Sequence, residues 1–169
     1  MAAVPMLAGV GLMMVCCSSS SVASMMMGGG DDAAAGAGAG AGTADPTPVL
    51  RNTPETMRHS SSNWGGDAIG VGHGRGRLDS EQGWSAQANQ VGEWYQIDNG
   101  VVGEITGVAI KGRTGGHDQW VKTFKVQSKG ATGTWADVDS GKVYTGNTDM
   151  DTQVDVTFDA PVDARYIRI

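Results

Sequence analysis

Cysteine is nearly absent: Cys16 and Cys17, adjacent and inside an apolar run, are the only two in 169 residues. Neighbouring cysteines rarely pair with each other, so the chain offers no disulfide framework and no thiolate metal site. Charged side chains are missing from the first thirty residues; the first is Asp31. Basic residues are in the minority, 12 Lys and Arg against 18 Asp and Glu, for a net charge of −6. All 12 lie at or beyond Arg51, where they face 15 of the acids and leave that part at −3. No basic stripe is offered to a phosphate backbone, so nucleic acid is not expected as a partner. The three histidines (His59, His73, His117) lack metal-ligand spacing such as His-Glu-x-x-His. A Gly-x-Ser-x-Gly elbow and a P-loop are also missing. Carboxylates are plentiful, but spacing assigns no pair of them to acid and base roles. These absences argue against an enzyme.

What is present falls into three zones. Residues 1–27 are apolar, and Val4 to Val15 has the length of a signal-peptide core. The small residues Ser21, Val22, Ala23 and Ser24 would suit a cleavage site. The longer run from Val4 to Met27 matches the roughly 20 residues that span a bilayer. Signal anchor, cleaved signal and disordered tail all stay open, since no Lys or Arg flanks the segment. Residues 28–57 form a Gly/Ala/Pro-rich linker whose Gly36 to Gly42 alternation cannot offset its own ordering entropy. It reads as a flexible tether.

Residues 58–169 change character, with short alternating runs split by Gly, Asp and Asn. Strands are expected over Trp94 to Asp98, Ile105 to Lys111, Val121 to Ser128, Thr134 to Val138, Gln153 to Phe158 and Arg165 to Ile169. Val, Ile, Thr, Tyr and Trp dominate them, and no window holds a 3.6-residue period. The expected class is all-β. Trp84, Trp94, Trp120 and Trp135 lie in or beside these strands and are expected in the core.

Between two of the strands lies Gly112-Arg113-Thr114-Gly115-Gly116-His117-Asp118-Gln119-Trp120-Val121, a Gly-rich polar loop leading into Trp-Val. Further blocks accompany it in order: Ser60-Ser61-Ser62-Asn63-Trp64, Arg77-Leu78-Asp79, Gly83-Trp84-Ser85-Ala86, Trp94-Tyr95-Gln96-Ile97-Asp98, Gly133-Thr134-Trp135 and Ala164-Arg165-Tyr166-Ile167-Arg168. Each is weak alone, but the ordered set resembles the discoidin, or coagulation factor 5/8 type C, domain across essentially all of Ser60 to Ile169. Two departures stand out. The cysteines that flank many members are missing, and members continue for a further strand beyond the position of Ile169.

The resemblance implies a galactose-binding-like jelly-roll sandwich of two antiparallel sheets, with its binding loops at one end and its last strand missing. An unpaired C-terminal edge would then be a site of self-association. It implies a non-catalytic adhesion module, binding cell-surface glycans of galactose or N-acetylgalactosamine type. Arg113 and His117 match a stretch that contacts sugar in slime-mould discoidin lectins, and Asp67 is a hydroxyl acceptor by the same similarity. Asp118 suits either a hydroxyl or its own turn. Trp64 precedes Gly65-Gly66-Asp67 and would project from the first loop. A similar loop of coagulation cofactors carries tryptophan into anionic phospholipid, which is the alternative partner; a protein–protein scaffold is a third. Some sugar-binding relatives hold calcium through loop carbonyls, but no acidic ligand run argues for it here. Location is expected to be extracellular, membrane-anchored or secreted. Similarity of the uncharged start to short anchors of large DNA virus structural proteins adds a virion surface.

Overall fold

Period-2 burial governs the described chain, as strand geometry requires. The structure, a computed structural model, describes residues 10–15 (backbone), 48–114 and 118–169. In chain order its strands are β1 (Val10–Val15), β2 (Leu50–Arg51), β3 (Arg58–Ser60), β4 (Tyr95–Gly112), β5 (Thr123–Phe124), β6 (Gln127–Lys129), β7 (Ala136–Asp137), β8 (Tyr144–Thr145) and β9 (Val154–Arg168). One antiparallel sheet runs β2-β1-β4-β9-β6-β7, with β3 also on β4; β5 and β8 form a second ladder. Every helical segment among the described residues is a short 3-10 turn. The class is all-β, of the galactose-binding-like sandwich type.

Four of the expected strands merge into two. Trp94 to Asp98 and Ile105 to Lys111 are the ends of continuous β4, and Gln153 to Phe158 and Arg165 to Ile169 those of β9. The residues between them read as turns, but they are irregularities in the β4–β9 ladder. Register shifts fall between Asp98 and Gly103 and between Ile105 and Gly107. Such bulges bend a strand without ending it.

The inner face carries Tyr95, Ile97, Ile105, Val108, Ile110, Val126 and Ile167, each at most 1% exposed. Trp84 packs on Tyr95 at 5.3 Å between ring centroids. Phe124 of β5 and Tyr144 of β8 lie 5.6 Å apart, and Tyr144 reaches Phe158 of β9 at 6.2 Å. Each such side chain contributes about 1.5–3 kcal/mol by burial.

Two expectations need correction. Trp94, Trp120 and Trp135 are only half-buried, and of the four expected core tryptophans Trp84 alone is in the core cluster. The end of the C-terminal strand, Tyr166 to Arg168, is also not an open edge. β9 lies between β4 and β6, and Ile169 exchanges both backbone hydrogen bonds with Tyr95, at 2.9 and 3.0 Å. Within the segment expected as signal or anchor, residues 10–15 pair with Gly107 to Gly112 of β4. Residues 16–47, which include most of the expected tether, lie outside the described residues.

Candidate functional site at the loop end

The first loop leaves β3 and is pinned by its own polar side chains. Ser60 Oγ donates to Asn63 Oδ1 at 2.7 Å, and Asn63 Nδ2 donates to the Asp67 carbonyl at 2.6 Å. Trp84 Nε1 reaches up from the core to the Ser62 carbonyl at 2.8 Å and to Asn63 Oδ1 at 3.0 Å. Trp64 follows, its backbone N–H on the Ser85 carbonyl at 2.8 Å. Its side chain is 45% exposed. Gly65 and Gly66 take φ of 69° and 76°, the left-handed region that glycine enters without strain. The tryptophan therefore stands on a tight, anchored turn.

Asp67 closes this loop. Its Oδ2 accepts from the backbone N–H of His73 and meets His73 Nδ1, both at 2.9 Å. The backbone donor first, and then the ring, hold the Asp67 carboxyl below the ordinary aspartate range. Gly74 beneath it is required by contact: a Cβ there would lie 2.2 Å from the Ala68 carbonyl oxygen. Oδ2 carries both of these bonds, which leaves Oδ1 as the acceptor for a further donor.

Arg113 sits opposite Gln119 across the base of the third loop. The Arg113 N–H donates to the Gln119 carbonyl and Nη1 to Gln119 Oε1, both at 2.9 Å. The residue is 7% exposed, and burial lowers its pKa from the ordinary arginine value. Among the described residues no carboxylate pairs with it, and its Nε is buried without an acceptor. Gln82 Oε1, Ser85 Oγ and Trp120 Nε1 are likewise buried and unpartnered. Such atoms are uncommon in folded proteins, and Thr53 Oγ1 and Asn147 Oδ1 are two more among the described residues. Asp118 is exposed. His117 lies outside the described residues.

The loops are joined in series. Trp64 bonds to Ser85, and Thr114 Oγ1 donates to the Glu81 carbonyl at 3.3 Å. The segment from Glu81 to Ser85 thus ties the first loop to the third. Trp64 and Asp67 share the first loop, and Arg113 and Asp118 the third. His73 was not singled out as Asp67's partner by sequence reasoning. The signal available was an acid and a histidine separated by a run rich in glycine. Among the described residues no group of three His, Cys, Asp or Glu side chains could hold a metal ion.

The F5/8 type C domain family pattern matches residues 57–169. The chain belongs to this family. Mouse (Mus musculus) lactadherin is 33% identical to this F5/8 type C domain chain over 139 residues, which is 76% of the chain and 30% of lactadherin. Discoidin-2 of Dictyostelium discoideum is 27% identical over 93 residues, 55% of this chain and 36% of that protein. The chain spans about a third of the length of these relatives. The solved structure of Dictyostelium discoideum discoidin II superposes with a TM-score of 0.53 at 23% identity, covering 66% of this chain and 47% of discoidin II. That likeness speaks to the fold. Membership makes the F5/8 type C domain a binding module, and the loop end is where its exposed aromatic and unpartnered polar groups meet.

Proposed function

We propose that this domain is a carbohydrate-binding adhesion module that takes galactose-type sugars at its loop end. The observation that carries the reading is Trp64, nearly half exposed and anchored through Ser85, with the second Asp67 oxygen on the same loop. An aromatic face for the apolar side of a pyranose, beside a fixed acceptor for its hydroxyls, is what sugar recognition asks for. His117 and Asp118 would complete the site from the third loop, and Arg113 would act mainly by holding that loop at its base. Calcium is not required. Display on an extracellular surface would let weak sites act together through the Gly/Ala tether.

A second reading has its own support. Val71, on the same loop as Trp64, is 54% exposed, and two large apolar side chains could enter an anionic phospholipid surface. The net charge of −6 opposes it.

Retention of the full chain on galactose resin tests both. The sugar reading expects binding that Trp64→Ala and His117→Ala each reduce at least tenfold. Absence of galactose retention together with capture by phosphatidylserine vesicles, lost in Trp64→Ala and Val71→Ser but kept in His117→Ala, would replace it with the membrane reading.

A further inference from the structure

Away from the loops, the outer face of the sheet carries a second concentration of functional groups. On β4 the buried Tyr95 and Ile97 alternate with half-buried Gln96 and Asp98, and on β9 buried Ile167 separates Tyr166 from Arg168. Register then sets these outward residues side by side. Gln96 pairs with Arg168, which pairs with Gln127; Asp98 pairs with Tyr166, which pairs with Lys129. Three segments distant in sequence make one surface.

Its cations lie on rings. Lys129 Nζ is 4.6 Å from the Tyr166 centroid and 5.1 Å from that of Trp135. The Arg168 guanidinium is 4.5 Å from Trp135 and 5.4 Å from Trp94, and that of Arg165 is 4.9 Å from Tyr166. Arg165 also holds Asp98 in a two-pronged pair at 2.7 and 2.8 Å, so its charge is answered. Lys129 and Arg168 have no ion pair among the described residues. Arg168 Nε donates to the neutral Gln127 Oε1 at 2.6 Å. Asp137 acts on Arg168 through space, but its Oδ1 is taken by Gln127 Nε2 at 2.6 Å.

Stacking has a consequence that salt bridging lacks. A ring orders a long cationic side chain without neutralising it, and a stacked guanidinium keeps its edge N–H groups for an anion. The entropy of fixing those side chains is met during folding and does not recur on binding. Lys129 and Arg168 lie diagonally on neighbouring strands, about 8 Å apart at the backbone by ordinary sheet spacing.

We propose that this face, centred on Lys129 and Arg168, is a docking site for a sulfated polysaccharide, separate from the loop end. Charge complementarity carries the choice of an anion, and it is local: Lys129 and Arg168 lie side by side without an ion pair among the described residues, on a chain whose net charge is −6. The surface is a sheet face with its cations laid flat on rings, which suits an extended chain bearing sulfates. The site goes beyond the galactose reading and stands if that reading fails.

The test is chromatography of the full chain on immobilised heparin, with chemically desulfated heparin alongside. The full chain is expected to be retained by heparin, released by salt, and to pass the desulfated matrix. Lys129→Glu is expected to weaken heparin binding at least tenfold while the far-ultraviolet circular dichroism stays native. Trp64→Ala is expected to leave it unchanged, which separates this site from the loop end. Arg168→Gln should act in the same direction; if it fails to fold, Lys129→Glu alone decides. Passage of the folded full chain through heparin overturns the proposal, as does unaltered retention of Lys129→Glu. Displacement by poly-glutamate as readily as by soluble heparin would assign the face to an acidic peptide and overturn it too.

Discussion

At the loop end Asp67 and His73 pair with each other and leave Trp64 uncovered. On the outer sheet face the roles are reversed: Trp94, Trp135 and Tyr166 are covered, and Lys129 and Arg168 keep their charge. Both surfaces use aromatic and ionic side chains. What differs is which kind is occupied in holding the structure. Hydrogen bonding between polar side chains within a loop holds the turn and presents an aromatic face, suited to a neutral sugar or an apolar surface. Cation stacking on a sheet occupies aromatic faces and presents charge, suited to an anion. The ligand class that each surface favours follows from which partner is left over, and composition alone does not reveal that.

The comparison breaks most severely where both surfaces share a support. Tyr95 lies between them, with its ring against Trp84 and its hydroxyl donating to Glu55 Oε2 at 3.3 Å. Tyr95→Ala is expected to cost about 4 kcal/mol, seen as a lower urea midpoint, with both binding activities falling together. A narrower break comes from Gly74→Ala, whose Cβ would collide with the Ala68 carbonyl. About 2 kcal/mol of stability should be lost, with galactose retention reduced and heparin retention kept.

Acid sharpens the contrast further. Asp67 has its pKa depressed in the folded state, so its contribution is present above the ordinary aspartate value of 3.8. It is lost as pH falls through the lower folded value. Asp98 is depressed in the same sense by Arg165. Asp67→Asn should therefore flatten the acid limb of thermal stability below pH 3.8 while leaving the Asp98 contribution in place. The smallest effect is expected from Lys129→Met. Loss of an exposed-type stacking contact should lower stability by only about 0.5–1 kcal/mol, a shift of a few degrees in Tm. A large drop would mean that the lysine is chiefly structural and would erase the distinction between the two surfaces.

Much of the fold was legible along the chain. The alternation around Tyr95 and Ile97, the Trp64-Gly65-Gly66 turn and the ordered family motifs point to a β-sandwich with loops at one end. Less legible were the continuations. Asn99-Gly100 and Gly103 read as turn punctuation, yet β4 runs through them as bulges, because a glycine suits either role. The pairing of Asp67 with His73 was also hidden, since it needs the chain to fold back through Gly70 and Gly72. Arg113 was recognisable as a special residue, but not its burial against Gln119.

Local sequence determined the all-β class, the lack of any cysteine beyond Cys17, the family and the glycines of the first loop. Those properties depend on neighbours: Cβ atoms alternate along a strand, and turn chemistry is settled within a few residues. Tertiary structure alone decided that Trp94 and Trp135 face outward and that cations lie on them. Alternation separates two faces without saying which one a second layer will cover. The contacts that settle it join residues far apart, 41 positions between Gln127 and Arg168 and 67 between Asp98 and Arg165. Only sheet register brings such residues together, and register is a property of the assembled sheet.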